Sequence, residues 1–214
     1  MKKFVFPILI ISIFLLINSC KDNDNNVAND NTKSGSYYIL NILGIISSGK
    51  TLLSVNSFQQ TTEYTCGPAS VMTLLRYYAI TGSEMNIAEE MGTSSSTGTT
   101  PEQMTTWLNK NGFTAEWHEE GTLEILRENL SNGIPTLVEW SDWGGHWVLV
   151  IGYDTRQTDD LMDDVIIFAD PYDHHDDNKD GFTFFNAQRF YYMWYDALLF
   201  GRVMKRVYIN AIHI

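Results

Sequence analysis

Cys66 stands in the stretch Gln60-Thr-Thr-Glu-Tyr-Thr-Cys66-Gly67-Pro68-Ala69-Ser70, where a polar loop gives way to helical spacing at Val71, Met72, Leu74, Leu75 and Tyr78. A thiol at a helix N-terminus feels the positive end of the helix dipole, which favours the nucleophilic thiolate. Pro68 suits a first helical turn, where its missing N–H is no loss. Gln60, six positions upstream, can fold its amide back over the thiol and donate to a developing oxyanion. A buried cysteine capping a core helix satisfies the same letters, so the stretch alone leaves both readings open.

A cysteine nucleophile needs a base, and the base needs an orienting group. His146 is the candidate base, in Trp143-Gly144-Gly145-His146-Trp147 at the head of the apolar run Val148 to Tyr153. A strand end presents an imidazole rigidly, and the two glycines before it let a substrate backbone come close. Asp170 is the candidate orienter, closing the run Val165 to Ala169 just before Pro171. Neighbouring strand ends would set it beside His146, accepting from one ring nitrogen. Gly67, Trp143, Gly145 and Trp147 are candidate cleft residues, although core packing explains the tryptophans equally well.

The elements that must position these groups follow from periodicity. The spacing predicts helices over 67–80, 86–91, 101–111 and 123–131, with Thr100 capping the third and Gly92, Gly112 and Asn132-Gly133 as stops. Strands are expected over 134–140, 146–153, 165–169 and 202–212, and short strands or a lead-in over 37–46 and 51–55. The aromatic stretch 186–197 has helical spacing, and Phe184 to Trp194 reads as a helix packed on the sheet. Helices first and an antiparallel sheet later make an α+β domain.

The N-terminus has a different character. Lys2 and Lys3 precede the fourteen-residue apolar run Phe4 to Ile17, too short to span a bilayer and the length of a signal core. It ends in Ile17-Asn18-Ser19-Cys20, which resembles a bacterial lipoprotein signal and implies cleavage before Cys20 and lipidation of its sulfur. The expected organisation is a signal peptide at 1–19, a lipidated Cys20 and flexible tether at 20–36, a lead-in at 37–56 and one domain at 57–214. The destination is the bacterial cell envelope, on the periplasmic side or the cell surface. The full chain has 14 Lys and Arg against 26 Asp and Glu, a formal charge of −12. So acidic a chain repels phosphate backbones and excludes nucleic acid as a partner. The sequence has two cysteines, and lipidation occupies one, leaving Cys66 as a lone thiol in an oxidising compartment.

Gln60, Tyr64-Thr-Cys66-Gly-Pro-Ala69, Thr99-Thr-Pro-Glu-Gln-Met104, Gly145-His146-Trp-Val148, Gly152-Tyr-Asp154 and Ala169-Asp170-Pro171 together resemble the papain-like cysteine peptidases, in particular the bacteriocin-processing (double-glycine) peptidase-like group. The resemblance runs from about Ser57 to Asp196. It implies a papain-like fold with the nucleophile on the first helix and His and Asp on the sheet. Cys66 is then nucleophile, His146 general base and acid, Asp170 orienter and Gln60 oxyanion donor. The substrate is a peptide or protein, and no cofactor is implied. The best-known members are joined to an ABC exporter and act in the cytoplasm, whereas this N-terminus directs export, so double-glycine specificity is not expected to transfer. A cell-wall peptide amidase of related fold and a non-catalytic binding lipoprotein are the rival readings.

Two further motifs compete. Gly44 to Thr51 matches the P-loop pattern, but Gln59 to Thr62 interrupts the helix such a loop must open, so ATP is not expected. Asp176 to Gly181 has the alternating oxygens of a calcium loop, yet Ala187 stands at position twelve where the bidentate Glu belongs; the expectation is a solvated turn and no metal.

Overall fold

The strand that begins at His146 organises the domain. The structure, a computed structural model, describes residues 49–174, 179–196 and 201–214. In chain order these form β1 (Lys50–Leu52), α1 (Cys66–Tyr77), α2 (Glu84–Met91), α3 (Pro101–Lys110), β2 (Phe113–His118), α4 (Leu123–Ser131), β3 (Thr136–Trp140), β4 (His146–Asp154), β5 (Val165–Ala169), β6 (Phe182–Asn186), α5 (Ala187–Met193) and β7 (Tyr208–His213). The signal, Cys20, the tether, the run 37–46 and most of the calcium-like loop, Asp176 to Asn178, lie outside the described residues.

The strands form one antiparallel sheet in the order β2-β7-β3-β4-β5-β6. β1 also pairs with β4, at Gly152 to Asp154. β5 already holds one edge of that stretch, so β1 takes the other, beyond the end of β3.

All nine residues of β4 are buried. An antiparallel strand with one wet face alternates apolar and polar residues, whereas burial on both faces gives a continuous apolar run. On one face Trp147, Leu149 and Ile151 pack against α1 to α3 through Val71, Leu74, Leu75, Met104 and Leu108. On the other, Val148 and Val150 meet α4 and α5 through Leu126, Leu130, Ala187 and Phe190. The α+β layout expected from sequence is the one observed.

Local chemistry sets the helix ends. Thr100 and Gln103 form a reciprocal capping box ahead of Pro101, satisfying two of the N–H groups that a helix start leaves unpaired. α1 ends at Tyr77 rather than Ile80, because the chain turns through Ala79 at φ 57°. β2 and β6 are additions to the expected elements. Phe113 and Ala115 alternate with exposed Thr114 and Glu116 in β2. Phe184 and Phe185, expected in the aromatic helix, pair with Ile167 and Ile166 in β6 instead, and the helix starts only after the Asn186 cap. The last strand starts at Tyr208 rather than Arg202. Lys50 and Thr51 lie in β1, not at the helix start that a P-loop requires.

Leu149 is fully buried at the centre of this sheet. Leu149→Ala is expected to cost about 2–5 kcal/mol, read as a lower urea midpoint with an unchanged m-value.

Candidate active site

The loop ahead of α1 is held at several points. Gln60 N–H donates to the Pro171 carbonyl at 2.8 Å, tying the loop to the end of β5. The buried Glu84 carboxylate, at the start of α2, accepts from Thr61 N–H at 2.9 Å, Thr61 Oγ1 at 2.6 Å and Thr65 Oγ1 at 2.5 Å. Thr65 therefore spends its hydroxyl away from the helix and does not cap α1 with its side chain. Cys66 follows as the first residue of α1, 9% exposed.

His146 enters through a turn that few sequences adopt. Trp143, Gly144 and Gly145 all have positive φ, at 51°, 86° and 127°. A non-glycine residue in that region stores strain that surrounding structure must hold. Here the hold comes from Ser141, whose N–H and hydroxyl both donate to the Met193 carbonyl at the end of α5. The turn delivers His146 to the first position of β4, only 3% exposed.

Asp170 follows directly after β5 and is fully buried. Its Oδ1 lies 2.7 Å from His146 Nε2 and also accepts the Tyr172 N–H at 2.8 Å. Thr183 Oγ1 donates to Oδ2 at 2.9 Å, so both carboxylate oxygens are satisfied. Gln59 Nε2 donates to the Asp170 carbonyl at 2.8 Å, joining the loop before α1 to the same corner. With Nε2 taken by Asp170, Nδ1 is the ring nitrogen left for the hydrogen bond between His146 and the Cys66 side chain.

Burial pushes the Cys66 thiol up, but its hydrogen bond and charge interaction with His146, and the N–H groups of Trp147 and Gly67, outweigh that and bring it below the ordinary thiol value. Burial lowers His146, yet the Asp170 carboxylate and the bond to Cys66 prevail and push it up to about 10. Asp170 is raised by burial and lowered more by His146, Tyr172 N–H and Thr183, so it stays a carboxylate. The shifts of sulfur and imidazole both favour a thiolate–imidazolium pair: a nucleophile beside a proton donor.

The sequence candidates thus divide. Cys66, His146 and Asp170 come together in one connected chain of contacts. Gln60 is tied to the Asp170 corner through its backbone, and its Nε2 donates to the Thr62 carbonyl at 2.7 Å, leaving its second amide hydrogen uncommitted by that bond. Trp143 stands on the rim, 61% exposed and edge-on to Tyr172, whose ring in turn meets His146 edge-on. Gly145, beside it, is half-buried. The Trp147 ring lies in the core, donating to the Thr99 carbonyl. Gly67 packs so closely on Thr99 that an added Cβ would come within 2.9 Å. These last two serve Cys66 through their backbone N–H groups. Sequence reading missed Gln59, Glu84 and Thr183. The alternation Phe182-Thr183-Phe184 marks Thr183 as facing away from its aromatic neighbours, a signal that was available. Among the described residues, no three His, Cys, Asp or Glu side chains are arranged to hold a metal ion.

Residues 52–197 match the model of the Peptidase_C39-like family, well over half of the chain. The chain belongs to that family. It is a cysteine-type peptidase of papain-like α+β fold. No curated protein matches it in sequence. Among solved structures it is similar to the peptidase domain of Streptococcus ComA, a bifunctional ABC transporter of a quorum-sensing pathway, at 16% identity and TM-score 0.55, over 76% of this chain and 99% of that one. It is similar also to a C39-like peptidase from Bacillus anthracis, at 16% identity and TM-score 0.51, over 77% and 98%. A double-glycine-motif protease from an AMS/PCAT transporter, solved with its leader peptide, gives 16% identity and TM-score 0.50, over 76% and 94%. At these identities the likeness is one of fold.

Alkylation of Cys66 by iodoacetamide should reach half its maximal rate below the pH of an ordinary thiol, about 8.5. Hydrolysis should decline only as the imidazolium deprotonates, near pH 10 rather than 6.5. In Asp170→Ala, burial of the imidazole is opposed by Cys66 alone, so the alkaline limb should fall by more than about one pH unit and the alkylation midpoint should rise.

Proposed function

We propose that this peptidase is a lipid-anchored protein of the cell envelope that cleaves peptide bonds through Cys66, His146 and Asp170, with Gln60 as oxyanion donor. The observation that carries the reading is the continuous contact from Cys66 through His146 to a fully buried, doubly satisfied Asp170. Asp170 accepts a hydrogen bond from His146 Nε2–H, and that fixed ring orientation turns Nδ1 toward the sulfur. The thiolate attacks the scissile carbonyl carbon and forms a C–S bond. Negative charge moves onto the carbonyl oxygen, to be met by the Gln60 amide and the Cys66 N–H at the start of α1. Collapse breaks the C–N bond, and His146 gives its proton to the leaving amine. Water then attacks the thioester while His146 takes its proton, the C–S bond breaks, and the thiolate–imidazolium pair returns.

The signal-like N-terminus, Cys20 and the polar stretch 20–36 support anchoring outside the cytoplasm. Two or three acyl chains, at about 0.8 kcal/mol per buried CH2, hold a protein firmly on a membrane. A single unpaired thiol in an exported chain also suits a working nucleophile better than a structural residue. The leader-peptide complex of the transporter-linked relative is consistent with a peptide substrate.

Cys66→Ala should abolish hydrolysis while the circular-dichroism spectrum and melting temperature stay those of a folded domain; retained turnover would dispose of the mechanism. Gln60→Ala should lower kcat about 10²–10³-fold and leave alkylation of Cys66, which develops no oxyanion, close to wild type. Metabolic labelling with an alkyne fatty acid should mark the wild-type chain and leave Cys20→Ser unlabelled.

A further inference from the structure

Glu139 is a carboxylic acid in the one place where the apolar run of β3 is broken, between Val138 and Trp140. It is 1% exposed. No hydrogen-bond donor among the described residues reaches either of its oxygens. A buried acid left in this state calls for an explanation, since nearly all such groups are satisfied.

Its place in the sheet supplies one. Glu139 pairs directly across from Trp147, the residue after His146. Partners in an antiparallel pair share a face, so Glu139 shares the α1 face with Trp147 and Leu137. The Trp147 N–H bonds the Cys66 sulfur, so Glu139 lies alongside the nucleophile, in electrostatic contact with both Cys66 and His146. A second acid, Asp196, fully buried after α5, is close enough for its charge to act on Glu139; its Oδ2 accepts the Met204 N–H at 3.0 Å. Glu139 is scarcely more enclosed than the catalytic imidazole, which substrate must reach.

We propose that Glu139, backed by Asp196, is a specificity-determining subsite that receives a cationic side chain, lysine- or arginine-like, within two residues of the scissile bond. This rests on the peptidase reading above. Asp170, Asp196 and the Cys66 thiolate against one imidazolium leave the site short of positive charge, and a substrate ammonium or guanidinium supplies it with hydrogen bonds to the bare Glu139 oxygens. Without a cation, burial first, then the negative charges of Asp196 and Cys66, push the Glu139 carboxyl well above the usual carboxylate range, with His146 opposing. A cation at its oxygens opposes that shift and favours the ionised form.

The test is a peptide library on the wild-type protein in which each of the two positions on either side of the cleaved bond carries Lys, Arg, norleucine or Glu in turn. The expected result is a preference of about 10-fold or more in kcat/KM for Lys or Arg over norleucine at one position. Glu139→Gln should collapse that ratio toward unity, and Asp196→Asn, which keeps an acceptor for Met204 N–H, should reduce it. A purely structural role for Glu139 would lower every substrate alike and leave the ratio intact, which overturns the proposal. So does a wild-type protein that hydrolyses peptides with no cationic preference, an outcome readable even if Glu139→Gln does not fold. Absence of all hydrolysis, with Cys66 alkylated as an ordinary thiol, would instead remove the peptidase mechanism and the subsite with it.

Discussion

Trp147 is where the helical layer and the sheet are locked together. Its carbonyl accepts from Ser70 Oγ in α1 at 2.9 Å, its indole donates to Thr99 at 2.9 Å, and its backbone N–H meets the Cys66 sulfur. These bonds set the start of α1 against the start of β4, two rigid elements whose ends carry the sulfur and the imidazole. A helix end and a strand end each fix one side chain well. The bonds at Trp147 fix the distance between them. A side chain at Gly67 would come within 2.9 Å of Thr99 and force this contact apart, which is why glycine follows Cys66.

Electrostatics then builds on that geometry. Burial alone would raise the thiol and lower the imidazole, leaving two neutral groups and no nucleophile. Asp170 reverses this because it is itself buried yet fully hydrogen-bonded, and so remains charged in a place where charge acts over a low dielectric. The positive-φ turn at Trp143 to Gly145 serves the same end by aiming His146 at both partners.

Much of this was legible in the residues. Cys66 beside Pro68, His146 after paired glycines and Asp170 before Pro171 each combine a chemical group with a backbone signal, and the apolar runs around them have the right periods for helix and strand. What escaped was set by tertiary pairing. Phe184 and Phe185 have spacing that suits a helix, and only the ladder with β5 makes them a strand. Glu84 and Thr183 are ordinary polar letters whose partners lie elsewhere in the chain. The Gln60 side chain reads as poised over the thiol, yet one of its amide hydrogens is engaged by Thr62. Glu139 carried a signal in plain view, a charge inside an apolar strand, but its meaning depends on its pairing with Trp147 on the face that α1 covers.

The sheet order has a bearing on biosynthesis. β7, residues 208–213, is threaded between β2 and β3, so until it exists β2 has no paired neighbour and β3 has only β4. A nascent polypeptide that has already emerged with its cysteine, histidine and aspartate can pair β3, β4 and β5 but still leaves one edge of β3 open. Such distant pairing slows folding, and until β7 docks the exposed edge of β3 is open to pairing with the wrong strand.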